Sequence, residues 1–282
     1  MKRLLSIELQ KIWKNRASKV LTITYFVLLT FIALFAAIKF DIGPFKFHLA
    51  EEGIFNFPYI WHFNTYFAAW LKIFLAVVIV SMMANEYSYG TLKQNLIDGM
   101  SKKEFVLSKF ITVVVFAGIS TLFVFVVSLI LGLQFSSFDE FSIIMSDLEY
   151  LAAYFIKLVG FFSFCLFLGI LIKRSAFAIG FLFLWFIIEN VGFAIIKFGI
   201  MKKSDSDYTF VDMIHNHLPL ESMSNLIKEP FTRLKIVKSI GSQVGIENIK
   251  DYSVHPTDVA IVLAWTAIFI FLSYKIIQKR DL

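Results

Sequence analysis

Lys72, Lys157 and Glu189 each fall inside a long apolar run of this 282-residue chain, and that placement raises a question of chemistry. A charge at the centre of a membrane helix costs roughly 2.5–3.5 kcal/mol on insertion scales. Such side chains usually face a bundle interior or water, where they mark ion or substrate paths. Glu189, followed by Asn190, lies near the middle of its run, and Lys72 and Lys157 lie nearer the outer ends of theirs. Two readings are open. Glu189 lines a pathway and pairs with one lysine, or the charges are structural, with snorkelling lysines and a protonated Glu189.

Other candidates are weaker. His215-x-His217 with Asp212 offers three potential ligands but lacks the fuller set that a metal centre needs, so no metal site is expected. His48, His62 and His255 stand isolated, and Glu149 near Asp147 reads as an acidic loop end. The one cysteine, Cys165, sits in an apolar run and can form no intramolecular disulfide, so it reads as a packing residue. No nucleophile–base motif and no G-x-x-x-x-G-K-[ST] phosphate loop is present, so the chain is not expected to be an enzyme or to hydrolyse ATP.

The elements that must position these charges are membrane helices. Hydrophobic residues make up 58% of the chain, including 34 phenylalanines, and mean hydropathy is +0.75. A soluble domain of this size could not hide that much apolar surface, whereas lipid covers it without difficulty. Six segments reach the roughly 20 residues that a span requires: Val20–Ile38, Tyr66–Met83, Phe110–Leu133, Tyr150–Ile172, Phe177–Phe198 and Val259–Ile277. The first follows 19 residues and reads as an uncleaved anchor.

Lys and Arg in the flanks set orientation. Segments 1–19, 84–109, 173–176 and 275–282 carry 6, 4, 2 and 3 basic residues, while the loops 39–60 and 134–147 carry 2 and 0. Both termini are therefore expected in the cytoplasm of a bacterial inner-membrane protein. The net charge of +6 follows from this topology and not from a nucleic-acid-binding surface.

The expected fold is an all-α polytopic membrane protein in four parts. Residues 1–19 form an interfacial amphipathic helix, with Leu5, Leu9, Ile12, Trp13 and Ala17 on one face and Arg3, Glu8, Lys11, Lys14 and Asn15 mostly on the others. The alternative is a basic flank that only fixes orientation. Residues 20–198 hold spans one to five, including a cytoplasmic loop at 84–109. Residues 199–257 form a small helical extracytoplasmic segment, with stripes at Leu220, Met223, Ile227 and Phe231 and at Ile236, Val237, Ile240 and Val244. It either gates an exit or caps the spans. Residues 258–282 hold the sixth span and a cytoplasmic C-terminus.

The loop 84–109 carries the most information. After Asn85-Glu86-Tyr87-Ser88-Tyr89-Gly90-Thr91 come Leu92, Leu96 and Ile97 at helical spacing, and Gly99 fits a helix C-cap. Ser101-Lys102-Lys103-Glu104 then reads as a capping box at the start of the next helix. A short helix between a stop and a fresh start is either a well-capped turn or a projection that docks in a groove of another protein.

This loop resembles the signature of ABC transporter permeases of the ABC-2 type, with Glu86, Gly90, Thr91, Leu92, Leu96, Ser101, Lys102, Glu104 and Lys109 at the matching positions. The basic start and overall plan also resemble permeases that give immunity to lantibiotics. Segment 199–257 departs from the short external hairpin usual in such permeases.

The resemblance implies a coupling helix gripped by an ABC ATPase subunit, present in two copies, which binds the ATP and Mg that this chain does not. It also implies a second permease copy or a sister permease, set in membrane lipid, and export of a lipid-like, peptide or drug-like amphiphile. Two alternatives stand beside it: a membrane component of an ATP-driven envelope machine acting on a protein partner, and a proton-coupled secondary transporter that titrates Glu189. The absence of a visible inverted repeat weighs against the latter.

Overall fold

The computed structural model describes residues 2–37, 40–42, 45–47, 53–197, 209–233 and 251–280. The second apolar stripe of the outer segment, Lys202–Asp207 and His48 lie outside the described residues. The architecture is helical, with one short hairpin that the sequence pattern did not suggest: β1 (Phe40–Ile42) pairs antiparallel with β2 (Phe45–Phe47).

Two N-terminal helices, α1 (Lys2–Lys14) and α2 (Arg16–Ala37), meet at a bend where Asn15 Oδ1 accepts from Ser18 N at 3.0 Å. That is an Asn cap, and it lets the basic helix turn into the first apolar one. The expected second span is two helices, α3 (Tyr59–Trp70) and α4 (Lys72–Ser88), bent by 46° at Leu71. After the short α5 (Thr91–Ile97) comes α6 (Lys102–Phe135), 34 residues long, which begins well before its apolar part. Then follow α7 (Phe141–Ile144), α8 (Glu149–Ile172) and α9 (Ser175–Ile187). A π-helical turn at Ile188–Gly192 leads to α10 (Phe193–Ile195). In the outer segment lie α11 (Thr209–Asn216), α12 (Pro219–Asn225) and a 3-10 turn at Phe231–Arg233, and the last helix is α13 (Pro256–Lys279).

Among the described residues five helices are long and apolar enough to cross a membrane, or six if the bent α3–α4 pair is one span. Central among them is α8, which packs against α3, α4, α6, α9 and α13. Glycine makes that proximity feasible. A Cβ at Gly169 would lie 3.0 Å from Met83 Cβ on α4, and one at Gly160 would lie 2.9 Å from Val262 Cγ1 on α13. Small residues let helix backbones approach where lipid removes the usual hydrophobic drive.

Polar pairs then fix register between helices: Tyr25 and Tyr154 share a hydrogen bond at 2.8 Å, and Asn64 Nδ2 donates to Ser128 Oγ at 2.8 Å. Cys165 is fully buried in this core, as its apolar setting suggested.

Candidate functional site

The segment 84–109 is built as its residues specify, with one correction at its start. Helix α4 runs on to Ser88, so Asn85 and Glu86 are helical rather than part of a loop. Gly90, at φ +66°, turns the chain into α5. At the far end Gly99, at φ +97°, closes it in a Schellman arrangement: Gly99 N donates to Leu96 O at 3.2 Å and Met100 N to Asn95 O at 3.0 Å. The capping box is complete, since Glu104 N donates to Ser101 Oγ and Ser101 N to Glu104 Oε2. Leu92 is buried beneath α5 and Leu96 is partly so. Tyr89 and Ile97 remain 75% exposed at the tip.

Four charges anchor this projection. The Lys109 ammonium on α6 is fully buried, 2.5 Å from Glu86 Oε1 and 2.6 Å from Glu8 Oε2. Lys11 Nζ reaches the same Glu86 oxygen at 2.8 Å and Glu8 at 3.5 Å. Thr91 donates its hydroxyl to the other Glu86 oxygen at 2.5 Å. Two carboxylates and two ammonium groups therefore neutralise one another, which is the condition under which charges tolerate burial. Burial opposes the charged form of Lys11, but the Glu86 hydrogen bond and the fields of Glu8 and Glu86 outweigh it, and the pKa is raised.

This network adds a docked face to α1. Glu8 and Ile12 are buried against the bundle and Lys11 is half-buried, while Trp13 is exposed, so the helix packs on the bundle through a face centred on Glu8. Hydrophobicity alone could not place Glu8, because its partner lies 101 residues away.

Lys102 also has a role other than partner docking. Its ammonium donates to Gln278 O at 3.2 Å and Arg280 O at 3.0 Å, tying the end of α13 to the start of α6. Arg280 in turn donates to Tyr87 Oη and to the carbonyls of Ile170 and Leu171. These basic side chains meet the C-terminal carbonyls of α8 and α13, where the helix dipoles favour positive charge.

Of the three charges in the apolar helices, Glu189 stands apart from the two lysines. Glu189 does not pair with a lysine. It sits in the π-helical turn, 3% exposed, and accepts from Trp185 Nε1 at 2.5 Å, Leu220 N at 3.0 Å and Glu221 N at 3.0 Å. It thus caps the N-terminus of α12. Lys157, 4% exposed, points at the other end of α12, with Nζ 3.4 Å from Ser224 O. An anion at the N-terminal end and a cation at the C-terminal end complement the dipole of the helix they hold. Asn190 instead donates to Phe186 O of its own helix. Lys72 lies over the Phe161 ring at 4.6 Å.

The histidines are accounted for by ordinary contacts. His62 is not isolated: it stacks on Tyr150 at 4.3 Å and shares a hydrogen bond with Lys228 O at 2.8 Å. His255 pairs with Asp251 at 3.0 Å. His215 stacks on Phe193, His217 Nδ1 is 2.7 Å from Met213 O, and Asp212 pairs with Lys197 at 2.7 Å, so the three do not converge.

An apolar groove of about 500 Å³ opens between α2, α3 and α6, lined by Leu29, Ile32, Phe63, Phe67, Phe123 and Val127.

Known proteins add family membership but no activity. The chain is 35% identical over 63 residues to the uncharacterized protein YhcI of Bacillus subtilis (strain 168), a match spanning 22% of this chain and 20% of that relative. Residues 45–282 match the model of a family described only as protein of unknown function, DUF2705, and the chain belongs to that family.

Proposed function

We propose that this protein is the permease subunit of an ATP-driven exporter, with α5 as the handle that a separate ATPase chain grips. The observation that carries the reading is a rigid projection on a neutralised ionic base. Helix α5 is closed at both ends by glycine turns, with Ile97 exposed at its end and Tyr89 exposed just before it. Thr91 of α5 donates to Glu86, and the quartet Glu8, Lys11, Glu86 and Lys109 links that contact to α1, α4 and α6. A push on α5 is thereby delivered to three membrane-associated helices at once. An apolar residue on an exposed short helix suits a groove on a partner.

In this reading the chain crosses the membrane six times, with α3–α4 as one broken span and both termini in the cytoplasm, as the basic flanks require. Two copies, or one copy and a sister permease, seat two ATPase subunits. The groove between α2, α3 and α6 suits the tail of a lipid-like, peptide or drug-like amphiphile. A membrane component that does mechanical work on a protein partner would use the same handle, and movement of a substrate separates the two.

The test is purification of the full chain from its native membrane. An ATPase bearing a G-x-x-x-x-G-K-[ST] loop should accompany it, and Ile97→Asp should release that subunit while leaving the thermal midpoint of the permease unchanged. Transport by the reconstituted chain alone would refute the proposal.

A further inference from the structure

Among the described residues, Lys72 and Lys157 are two buried-helix cations with no carboxylate at ion-pair distance. Lys157, Phe161 and Cys165 follow one another at four-residue spacing and share a face of α8. The Lys72 ammonium lies over the middle member, Phe161, and within Coulombic reach of both Cys165 and Lys157. Among the described residues no carboxylate comes within 4 Å of either ammonium, although Glu221 lies near enough to Lys157 to be felt. The single polar neighbour is Ser224 O, at 3.4 Å from Lys157, the long limit of a hydrogen bond.

Both lysines lie at one depth. Sixteen positions run from Lys72 to Ser88, the last residue of α4, and fifteen from Lys157 to Ile172, the last of α8. Each is about 22–24 Å of helix rise from that end. Lys72 is also the first residue of α4, directly after the break at Leu71. The N-terminal half-charge of a 17-residue helix therefore adds to the two ammonium groups. A broken membrane helix whose N-terminal end points at an anionic group is a recurring way to build an intramembrane anion site. Above the pair lies α12, held at its far end by Glu189.

We infer that Lys72 and Lys157, with the N-terminus of α4, form an intramembrane site for the phosphate head group of an amphiphile, roofed by α12. A phosphomonoester carries about −1.5 to −2 charges near neutral pH, which two ammonium groups balance. Bound there, the phosphate takes Lys157 from Ser224 O, so occupancy loosens one of the two ends by which α12 is held. The inference rests on the permease reading only in calling the occupant a substrate.

The experiment uses the purified full chain in neutral detergent micelles, with the tryptophan-detected unfolding midpoint as readout. Phosphatidic acid, phosphatidylcholine and inorganic phosphate are titrated separately. Phosphatidic acid should raise the midpoint, and Lys72→Met should weaken that apparent affinity by about tenfold or more. Lys72 donates no described hydrogen bond, so its loss should leave the fold intact, and Lys72→Arg should keep most of the effect. Lys93→Met, on the exposed segment 91–97, should bind as the parent does. A rise with inorganic phosphate as large as that with phosphatidic acid would support the site and assign it a free anion. Equal responses to phosphatidic acid and phosphatidylcholine, an unchanged response in Lys72→Met, or no response to either phosphate would overturn it. No ATPase is present in the titration, so its failure would leave the coupling proposal standing, and loss of ATPase capture would leave the anion site standing.

Discussion

Lys109 and Glu86 meet at 2.5 Å across 23 positions of chain, and the projection that carries α5 lies between them. The pair is a buried clasp at the base of that projection, with Glu8 of α1 as its third member. A surface pair in this position would be worth little, because water screens it and side-chain entropy opposes it. Here the ammonium is fully buried, so the partners cannot be removed one at a time without leaving a bare charge.

Lys109→Met should therefore destabilise the protein by about 3–5 kcal/mol, because Glu8 and Glu86 lose their common counter-ion. Denaturation in mixed micelles measures this. The triple variant that also carries Glu8→Gln and Glu86→Gln should recover a large part of the loss, and no recovery would mean that the quartet does not act as a unit.

Alkaline pH should release α1 late. Lys11 has a folded-state pKa above its usual value of 10.5, so its contribution is complete below about that pH and is lost as pH rises through the raised value. Hydrogen exchange of residues 2–14, corrected for intrinsic rate, should be flat from pH 6 to 9, since ordinary lysines do not titrate there. A transition inside that window would contradict the assignment.

Gly99→Ala should loosen α5. A side chain at φ +97° costs about 1–2 kcal/mol, and the Schellman closure that ends α5 depends on that conformation. Faster amide exchange across residues 91–100, with the spans unchanged, is the expected signature. Gly90→Ala, at φ +66°, should act in the same direction.

Glu189→Gln should free the outer helix. The carboxylate accepts two α12 amides, and a neutral amide replaces charge-assisted acceptance with weaker bonds. Exchange at Leu220 and Glu221 should accelerate several-fold. Unchanged protection would show that packing of Met223, Leu226 and Ile227 holds α12 without it.

Much of the fold was legible along the chain. Long apolar runs give membrane helices because backbone groups in lipid must bond internally, and that requirement is local. The capping box at Ser101–Glu104 and the glycine stop at Gly99 are local too, since each closes hydrogen bonds within a few residues. The break between α3 and α4 was not legible: nothing in Ala69-Trp70-Leu71-Lys72 marks a 46° bend.

What the sequence by itself determined is the long apolar helices, the capped ends of the segment around α5 and the basic flanks, because propensity, capping and apolar length act over one turn or one run. Only the tertiary structure decided which charges are satisfied. Glu8 reads as a solvated residue of an amphipathic helix until Lys109 neutralises it. Glu189 reads as a partner for a lysine until the amides of Leu220 and Glu221 arrive 31 and 32 residues later. The physical reason is that burying a charge is favourable or costly according to its partners, and those partners are brought together by packing, not by spacing along the chain.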